Sequence, residues 1–439
     1  MEGHPPAGPA RRTRLDTHVD RYAARTRGMK ASEIRALFAV ANRPEVVSLA
    51  GGMPNINGLP LNALADTIRE LVADSGAAAM QYSSGQGDPA LRQCICDVMA
   101  LEGVTAHSDD VVVTVGSQQA VDLVTRVFCD PGDVVLCEAP SYVGALGVFG
   151  AYQCEVVHVE MDSDGLVPEA LRSTLTRLAA IGKRAKLLYT VPNFHNPAGV
   201  TMSAARRAAV LDVCHTADLL VLEDNPYGLL GFDADPLPTL RSHDAERVVY
   251  VGSFSKTFAP GFRVGWAVAP HAVREKLVLA QESATLCPPT FSQLVIARYL
   301  ERHDWQQQIK DFRGLYHERR DAMLGALDDH LPAGTTWTSP AGGFYVWVTL
   351  PTGLDATSML PRAVTERVAY VPGTAFFADG GGREQLRLSY CYPPPARIVE
   401  GVRRLAGVID GELELHSTFG SASAPRRAGR DQRPNPDLS

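Results

Sequence analysis

The 439-residue chain has no apolar run approaching the roughly 20 residues of a membrane-spanning helix. Its basic start, "MEGHPPAGPARRTR", is followed by no apolar core of the kind a secretory signal needs. A membrane protein and an exported one are both unexpected, and a cytoplasmic location is expected. The eight cysteines are scattered, form no CxxC pair and mostly sit in apolar contexts such as "VVLCEAP" and "RVFCDPG". They read as reduced thiols. The twelve histidines show no metal-ligand spacing to them, so no metal site is expected. Excess positive charge is missing as well. The formal net charge of −7 argues against the basic footprint that nucleic-acid binding requires. No GxGxxG follows the first strand and there is no Walker A motif, which argues against dinucleotide oxidoreductases and P-loop enzymes.

What is present is ordinary for a globular protein with a large core: 45% hydrophobic residues, 21% charged residues and length for two or three domains. Between residues 110 and 253, β-branched runs alternate with helical patterns. "DVVVTV", "DVVLCEA", "CEVVHVE", "KLLYTVP", "LLVLED" and "RVVYVGS" read as strands, and 117–128, "SYVGALGVFGAY" and 203–217 as helices. Continuously apolar strands spaced by helices predict a parallel sheet covered on both faces, an α/β fold. After about residue 290, long polar helices precede the short strands "GGFYVWVTL" and "LRLSYC", which predicts a smaller α+β domain. The divisions expected are a disordered tail at 1–14, an N-terminal segment at 15–58 packing with the small domain and the active site, a large domain at 59–288, a small domain at 289–412 and a second disordered tail at 413–439.

Five stretches place polar residues directly after strands, or on an isolated strand of the second domain, and ligands of open parallel sheets bind at strand carboxyl ends. In "TVGSQQAVDLV", Gly116 permits a tight turn and sets Ser117 and Gln118 at a helix N-terminus, where free N–H groups suit a phosphate. Alone, Ser117 reads as a plain helix cap. In "LLVLEDNPYG", Asp224 ends an apolar strand and needs a cationic or hydrogen-bonding partner, with Tyr227 three residues on; a turn aspartate is the bland alternative. In "YTVPNFHNPAGV", Asn196 offers an amide or merely a turn. In "GSFSKTFAPGFRVGW", Ser253, Ser255, Lys256 and Arg263 suit a dianionic phosphate beside one reactive amine. In "QLRLSYC", Arg387 is an inward carboxylate clamp or an ordinary surface strand arginine. Pyridoxal phosphate held as a Schiff base asks for all five together, including an acid for its pyridine nitrogen.

These stretches, with "SLAGGMP" (48–54), "QYSSGQGDPALR" (81–92) and "GGFYVW" (342–347), resemble the pyridoxal-phosphate-dependent class I/II aminotransferases of fold type I, in the branch similar to 2-aminoadipate and kynurenine aminotransferases. The resemblance spans roughly residues 30 to 412. It implies a mostly parallel seven-stranded sheet covered by helices, with a smaller α+β C-terminal domain. It also implies transfer of an amino group between an L-α-amino acid of medium or large side chain and a 2-oxo acid by a ping-pong mechanism. Lys256 would carry the cofactor and act as base, Asp224 would keep the pyridine nitrogen protonated, and Asn196 and Tyr227 would bond the ring hydroxyl oxygen. Tyr142 would stack on the ring, and Ser117, Gln118, Ser253, Ser255 and Arg263 would bind the phosphate. Tyr82 would reach the phosphate from a neighbouring subunit, which implies a homodimer. Arg387 would grip the substrate carboxylate with help from backbone near Gly51 and Gly52, and Met53, Asn55, Ile56, Phe344, Tyr345 and the segment 21–37 would shape the side-chain pocket.

Two positions depart from the family pattern. His195 stands where glutamine is common, and Gly28, beside Arg27, stands where aminoadipate enzymes tend to carry arginine. The rival readings are a pyridoxal-phosphate lyase or decarboxylase on the same fold and an aminotransferase-like transcription regulator. The second is disfavoured because fewer than 50 residues precede Ser48, too few for a DNA-binding module and a linker.

Overall fold

The computed structural model describes residues 18–28 and 43–420. The tail expected at 1–14 and most of the segment 21–37 lie outside the described residues. Residues 24–28 form a short 3₁₀ turn.

The chain enters the body of the molecule through β1 (Val47–Ser48), which pairs in parallel with β12 (Val368–Ala369) of the C-terminal half. The large half is built on one sheet. Its order is β2 (Val111–Thr114), β9 (Gly265–Val268), β8 (Val248–Ser253), β7 (Leu220–Asp224), β6 (Ala185–Thr190), β3 (Val134–Ala139), β4 (Glu155–Asp162) and β5 (Gly165–Leu166). Seven strands carry the sheet, as expected. The eighth, β5, is a two-residue return of β4 that pairs antiparallel at the edge. The pairings among β8, β7, β6, β3 and β4 are parallel, while β9 runs antiparallel to both its neighbours.

The continuous apolar runs have the physical basis expected. In β3, Val135 and Cys137 pack with the helices 117–128 and 143–151 on one face, while Val134 and Leu136 pack with the helices 168–180 and 204–216 on the other. Both faces are covered, so neither needs polar residues.

The C-terminal half holds an antiparallel sheet in the order β10 (Thr336–Trp337), β11 (Tyr345–Thr349), β14 (Gln385–Ser389) and β13 (Val371–Pro372). The helices Trp305–His330 and Pro395–Gly420 pack on its apolar face. Period-two alternation sends Leu386 and Leu388 into that core and Arg387 to the other face, between Trp347 and Val371.

Two features differ from the sequence pattern. Helix Thr290–Arg302 buries Val295, Ile296 and Tyr299 in one cluster with Leu64, Leu91 and Val113, so its apolar face belongs with the large sheet. The last helix also continues through residues 413–420, which were expected in the tail. Leu413 packs against the C-terminal core and Arg362 pairs with Glu412 at 3.0 Å, which carries the helix past the point where its residue pattern turns polar.

Candidate functional site

A cavity of about 360 Å³ opens where the carboxyl ends of the parallel strands face the C-terminal sheet. Its wall includes Ser117, Tyr142, Asn196, Asp224, Tyr227, Ser253, Ser255, Lys256, Arg387 and Gly52, ten of the fourteen site residues expected from sequence. They arrive from separate strand ends: Ser117 after β2, Tyr142 after β3, Asn196 after β6, Asp224 and Tyr227 at and after β7, and the serines and lysine at and after β8.

Lys256 follows the turn that leaves β8. Its Nζ donates to the Gly52 carbonyl at 2.9 Å. Burial pushes its pKa down to about 8, with positive Arg387 and Arg263 acting the same way and Cys391 and Asp224 opposing. Asp224, 3% exposed at the end of β7, accepts a hydrogen bond from the Tyr189 hydroxyl at 2.8 Å on Oδ2. Its Oδ1 is buried and has no protein partner. Burial raises its pKa to about 6, while the Tyr189 hydrogen bond and Lys256 hold it down. The carboxylate is therefore ionised at neutral pH, with one oxygen aimed at no protein group.

Arg387 is 2% exposed. Its Nη1 donates to Asn196 Oδ1 at 2.8 Å and its Nη2 to the Ala50 carbonyl at 2.6 Å. The guanidinium lies 4.2 Å from the ring centre of Tyr345, so the fork is stacked as well as bonded. Tyr345 in turn has its hydroxyl 3.4 Å from that of Tyr227.

At the far end of the cavity, Gly116 has φ +75° and precedes the helix 117–128. A Cβ there would sit 2.7 Å from Arg263 Nη2. Glycine is thus required by the backbone angle, and a Cβ would in addition push aside the tip of the arginine lying across the turn. Arg263 itself is left-handed at φ +55° and donates to the Val115 carbonyl at 3.2 Å. Ser253 Oγ and Ser255 Oγ are 2.9 Å apart and face the same end.

Four expected residues do not line the cavity. Gln118 sits behind it, donating to the Gly144 carbonyl at 2.8 Å and accepting from the Tyr142 hydroxyl at 3.3 Å, so it holds the ring that does line it. Arg263 lies across the Gly116 turn just outside the wall, and Gly51 lies next to the lining Gly52. Tyr82 is 76% exposed on the outer surface of this chain. Of the side-chain pocket residues, Met53 and Tyr345 line the cavity. Phe344 is instead buried in the core beneath it, Asn55 caps a short turn through Asn57 N, and Ile56 is exposed.

Sequence reasoning missed Tyr189, and it missed the buried network behind Asp224. There Asn225 donates to Glu102 at 2.7 Å and accepts from Asn193 at 2.9 Å, which anchors the chain just before Pro226. The signal available was a tyrosine inside the apolar run "KLLYTVP", because a buried phenol needs a partner for its hydroxyl. Among the described residues, no cluster of three or more His, Cys, Asp or Glu is arranged to hold a metal, and no helix is long and apolar enough to cross a membrane.

The chain matches the family described as aminotransferase class I and II over residues 44–405. It is 41% identical over 396 residues to aromatic-amino-acid aminotransferase 1 of Thermococcus litoralis, covering 90% of this chain and 95% of that protein. It is 38% identical to the 2-aminoadipate transaminase of Thermus thermophilus, covering 88% and 96%. The structure is similar to the crystal structure of Pyrococcus horikoshii kynurenine aminotransferase in complex with PMP, with a TM-score of 0.86, 39% identity and coverage of 90% and 99%. Because the family pattern spans most of the chain and the fold follows a solved relative over nearly that relative's whole length, this chain belongs to the class I and II aminotransferases, pyridoxal-phosphate enzymes of fold type I that move an amino group between an amino acid and a 2-oxo acid.

Proposed function

We propose that the cavity at the strand ends is the transamination site and that its preferred donor is an L-α-amino acid with an aromatic or other large apolar side chain. The observation that carries this reading is the pairing of two buried groups across one cavity: an ionised Asp224 with an unpartnered Oδ1, and Arg387 stacked on Tyr345. The cavity fits pyridoxal phosphate. Asp224 Oδ1 suits a protonated pyridine nitrogen, and the glycine turn before Ser117, with Ser253, Ser255 and Arg263, suits a phosphate dianion. Asn196 and Tyr227 would orient the ring hydroxyl oxygen, and Tyr142, held by Gln118, would cover one ring face.

When bound, pyridoxal phosphate supplies an electron sink for the carbon that loses its proton. The chain supplies the rest. Arg387 orients the substrate by its carboxylate, Asp224 keeps a proton on the pyridine nitrogen, and Lys256 takes the Cα proton. An amine with a pKa near 8 is a far better base at neutral pH than an ordinary lysine. Met53, Val143, Gly144 and Tyr345 give the cavity an apolar wall, and Lys256 and Arg387 are its only cations among the described lining residues. That wall, together with the similarity to an aromatic-amino-acid aminotransferase, supports the donor class. Exposed Tyr82 suits a residue that completes the site of a second copy, so we include a homodimer in the proposal, along with a cytoplasmic location. We place the division between large and small halves within the helix Trp305–His330, because Ile309 packs with the large-sheet cluster and Tyr316 with the small one.

The test is a visible spectrum of the holoenzyme with single amino acids and no 2-oxo acid. Phenylalanine, tyrosine and kynurenine are expected to bleach the long-wavelength band fastest, on a protein that sediments as a dimer. Faster bleaching by 2-aminoadipate would overturn the donor class. A persistent band with accumulating pyruvate and ammonia would indicate a lyase, and a monomer with full activity would remove the shared-site part.

Tyr189→Phe tests the cofactor acid separately. The Tyr189 hydrogen bond holds the Asp224 pKa down, so its loss raises that pKa above about 6 and protonates more of the carboxylate at pH 7. The expected outcome is an acid limb of the kcat/KM profile shifted to higher pH, with weaker pyridoxal phosphate binding by the apoprotein. An unmoved limb would show that Tyr189 is only a core residue.

A further inference from the structure

The histidine that departs from the family pattern, His195, points away from the cavity. It is 1% exposed and directly precedes Asn196, the residue that accepts from Arg387. Its Nδ1 accepts from the Ala198 backbone N–H at 3.2 Å, so a neutral ring carries its proton on Nε2. Nε2 lies 3.0 Å from Glu138 Oε2, a close polar contact outside hydrogen-bond geometry. Glu138, also 1% exposed, stands near the end of β3 and accepts from Thr190 Oγ1 at 2.7 Å and from the Val191 N–H at 2.9 Å, at the end of β6. One buried carboxylate therefore bonds the end of β6 to that of β3 and faces the loop that follows β6 through its contact with the His195 ring. Within that loop the His195 backbone also bonds Val200 and Gly199.

We propose that His195 and Glu138 are positioning residues for recognition of the substrate carboxylate: they fix the loop that presents Asn196, and Asn196 fixes one arm of the Arg387 fork. The inference rests on the reading of Arg387 as the carboxylate clamp. It also accounts for the departure from the family pattern. A glutamine amide, like the imidazole, offers an acceptor for the Ala198 N–H and an N–H donor that can face Glu138, so either residue can serve both contacts. Leucine keeps the volume and offers neither.

The experiment compares His195→Leu, His195→Gln and Arg387→Ala in the holoenzyme. It reads the Kd of 3-phenylpropanoate, a carboxylate with no amino or oxo group to react, by calorimetry, and the KM and kcat for phenylalanine. Loss of positioning is expected to raise both Kd and KM about tenfold in His195→Leu, with kcat within about twofold, because an orienting contact is lost rather than a reacting group. His195→Gln is expected to stay within about threefold of the parent. Arg387→Ala separates the two readings. If it loses the ligand while His195→Leu binds normally, the positioning role is wrong and the clamp stands. If Arg387→Ala binds normally, the clamp reading fails and the inference falls with it. Equal losses in His195→Leu and His195→Gln, or a kcat that falls in step with Tm, would mark His195 as a packing residue only. Should His195→Leu fail to fold, Glu138→Gln keeps the volume and removes the charge facing the ring, and an unchanged Kd in that variant overturns the proposal.

Discussion

Lys256→Ala is expected to leave a folded protein that still binds pyridoxal phosphate but transaminates on the order of 10⁴-fold more slowly or worse, because it removes both the proposed covalent anchor and the proposed base. Single-turnover absorbance with phenylalanine reads the loss, and circular dichroism reads the fold. Addition of methylamine is expected to restore part of the rate, since the cavity retains Asp224 and Arg387. Turnover near the parental rate would mean that another group moves the Cα proton. The variant also has a stability signature. The folded pKa of Lys256, about 8, lies below its ordinary 10.5, so between those values the unfolded chain holds a proton that the folded chain has released. The parental apoprotein therefore gains stability from this group as pH rises from about 8 to 10.5, and Lys256→Ala loses that increment. A difference in Tm between the two apoproteins that does not change over that window would contradict the burial of the amine.

The second large effect belongs to Arg387. Arg387→Ala deletes a buried fork that is bonded on two arms and stacked on Tyr345, and it leaves Asn196 Oδ1 and the Ala50 carbonyl without their donor. Paired charge-assisted hydrogen bonds to a carboxylate have the strength to make kcat/KM for phenylalanine fall by about 10² to 10³. Phenethylamine, which lacks the carboxylate, is expected to react at the parental rate or faster. The ratio of the two substrates is thus the informative readout. Lysine is not expected to rescue the variant, because a point ammonium cannot reproduce two parallel N–H donors in one plane. A ratio unchanged from the parent would place the carboxylate elsewhere in the cavity.

The two predictions differ in how far the sequence supports them. Lys256 is legible because hydroxyls and an arginine flank a lone lysine at a strand end, a combination with little use in a core or on a surface helix. Arg387 is less so. Its neighbours Leu386 and Leu388 announce a strand with one apolar face, yet a surface arginine shows the same alternation. Only the approach of Ala50 and Asn196 to the opposite face buries it and bonds both arms of its fork. Gln118 illustrates the reverse error: it shares a helix N-terminus with Ser117, but its side chain turns back to Tyr142 and Gly144. The strand β9 was hidden for another reason. It is four residues long and follows directly on the Arg263 turn, so the short run "GWAV" reads as part of a loop until β2 and β8 pair with it on both sides.

By itself the sequence determined the alternation of buried strands and helices, the positions of the turns and the chemical types gathered at the strand ends. These are local consequences of hydrophobic period, glycine and proline, and each can be read within about ten residues. Tertiary structure alone decided which partner each polar group finds. Tyr189 meets Asp224 across 35 positions, Glu138 meets Thr190 across 52, and Arg387 meets Asn196 across 191. Whether a buried acid is a structural anchor or an active group depends on which of its oxygens is left without a hydrogen bond, and that is set by the register of neighbouring strands. A one-residue slip would send each of the strand side chains among these, Tyr189, Asp224, Glu138, Thr190 and Arg387, to the opposite face of its sheet.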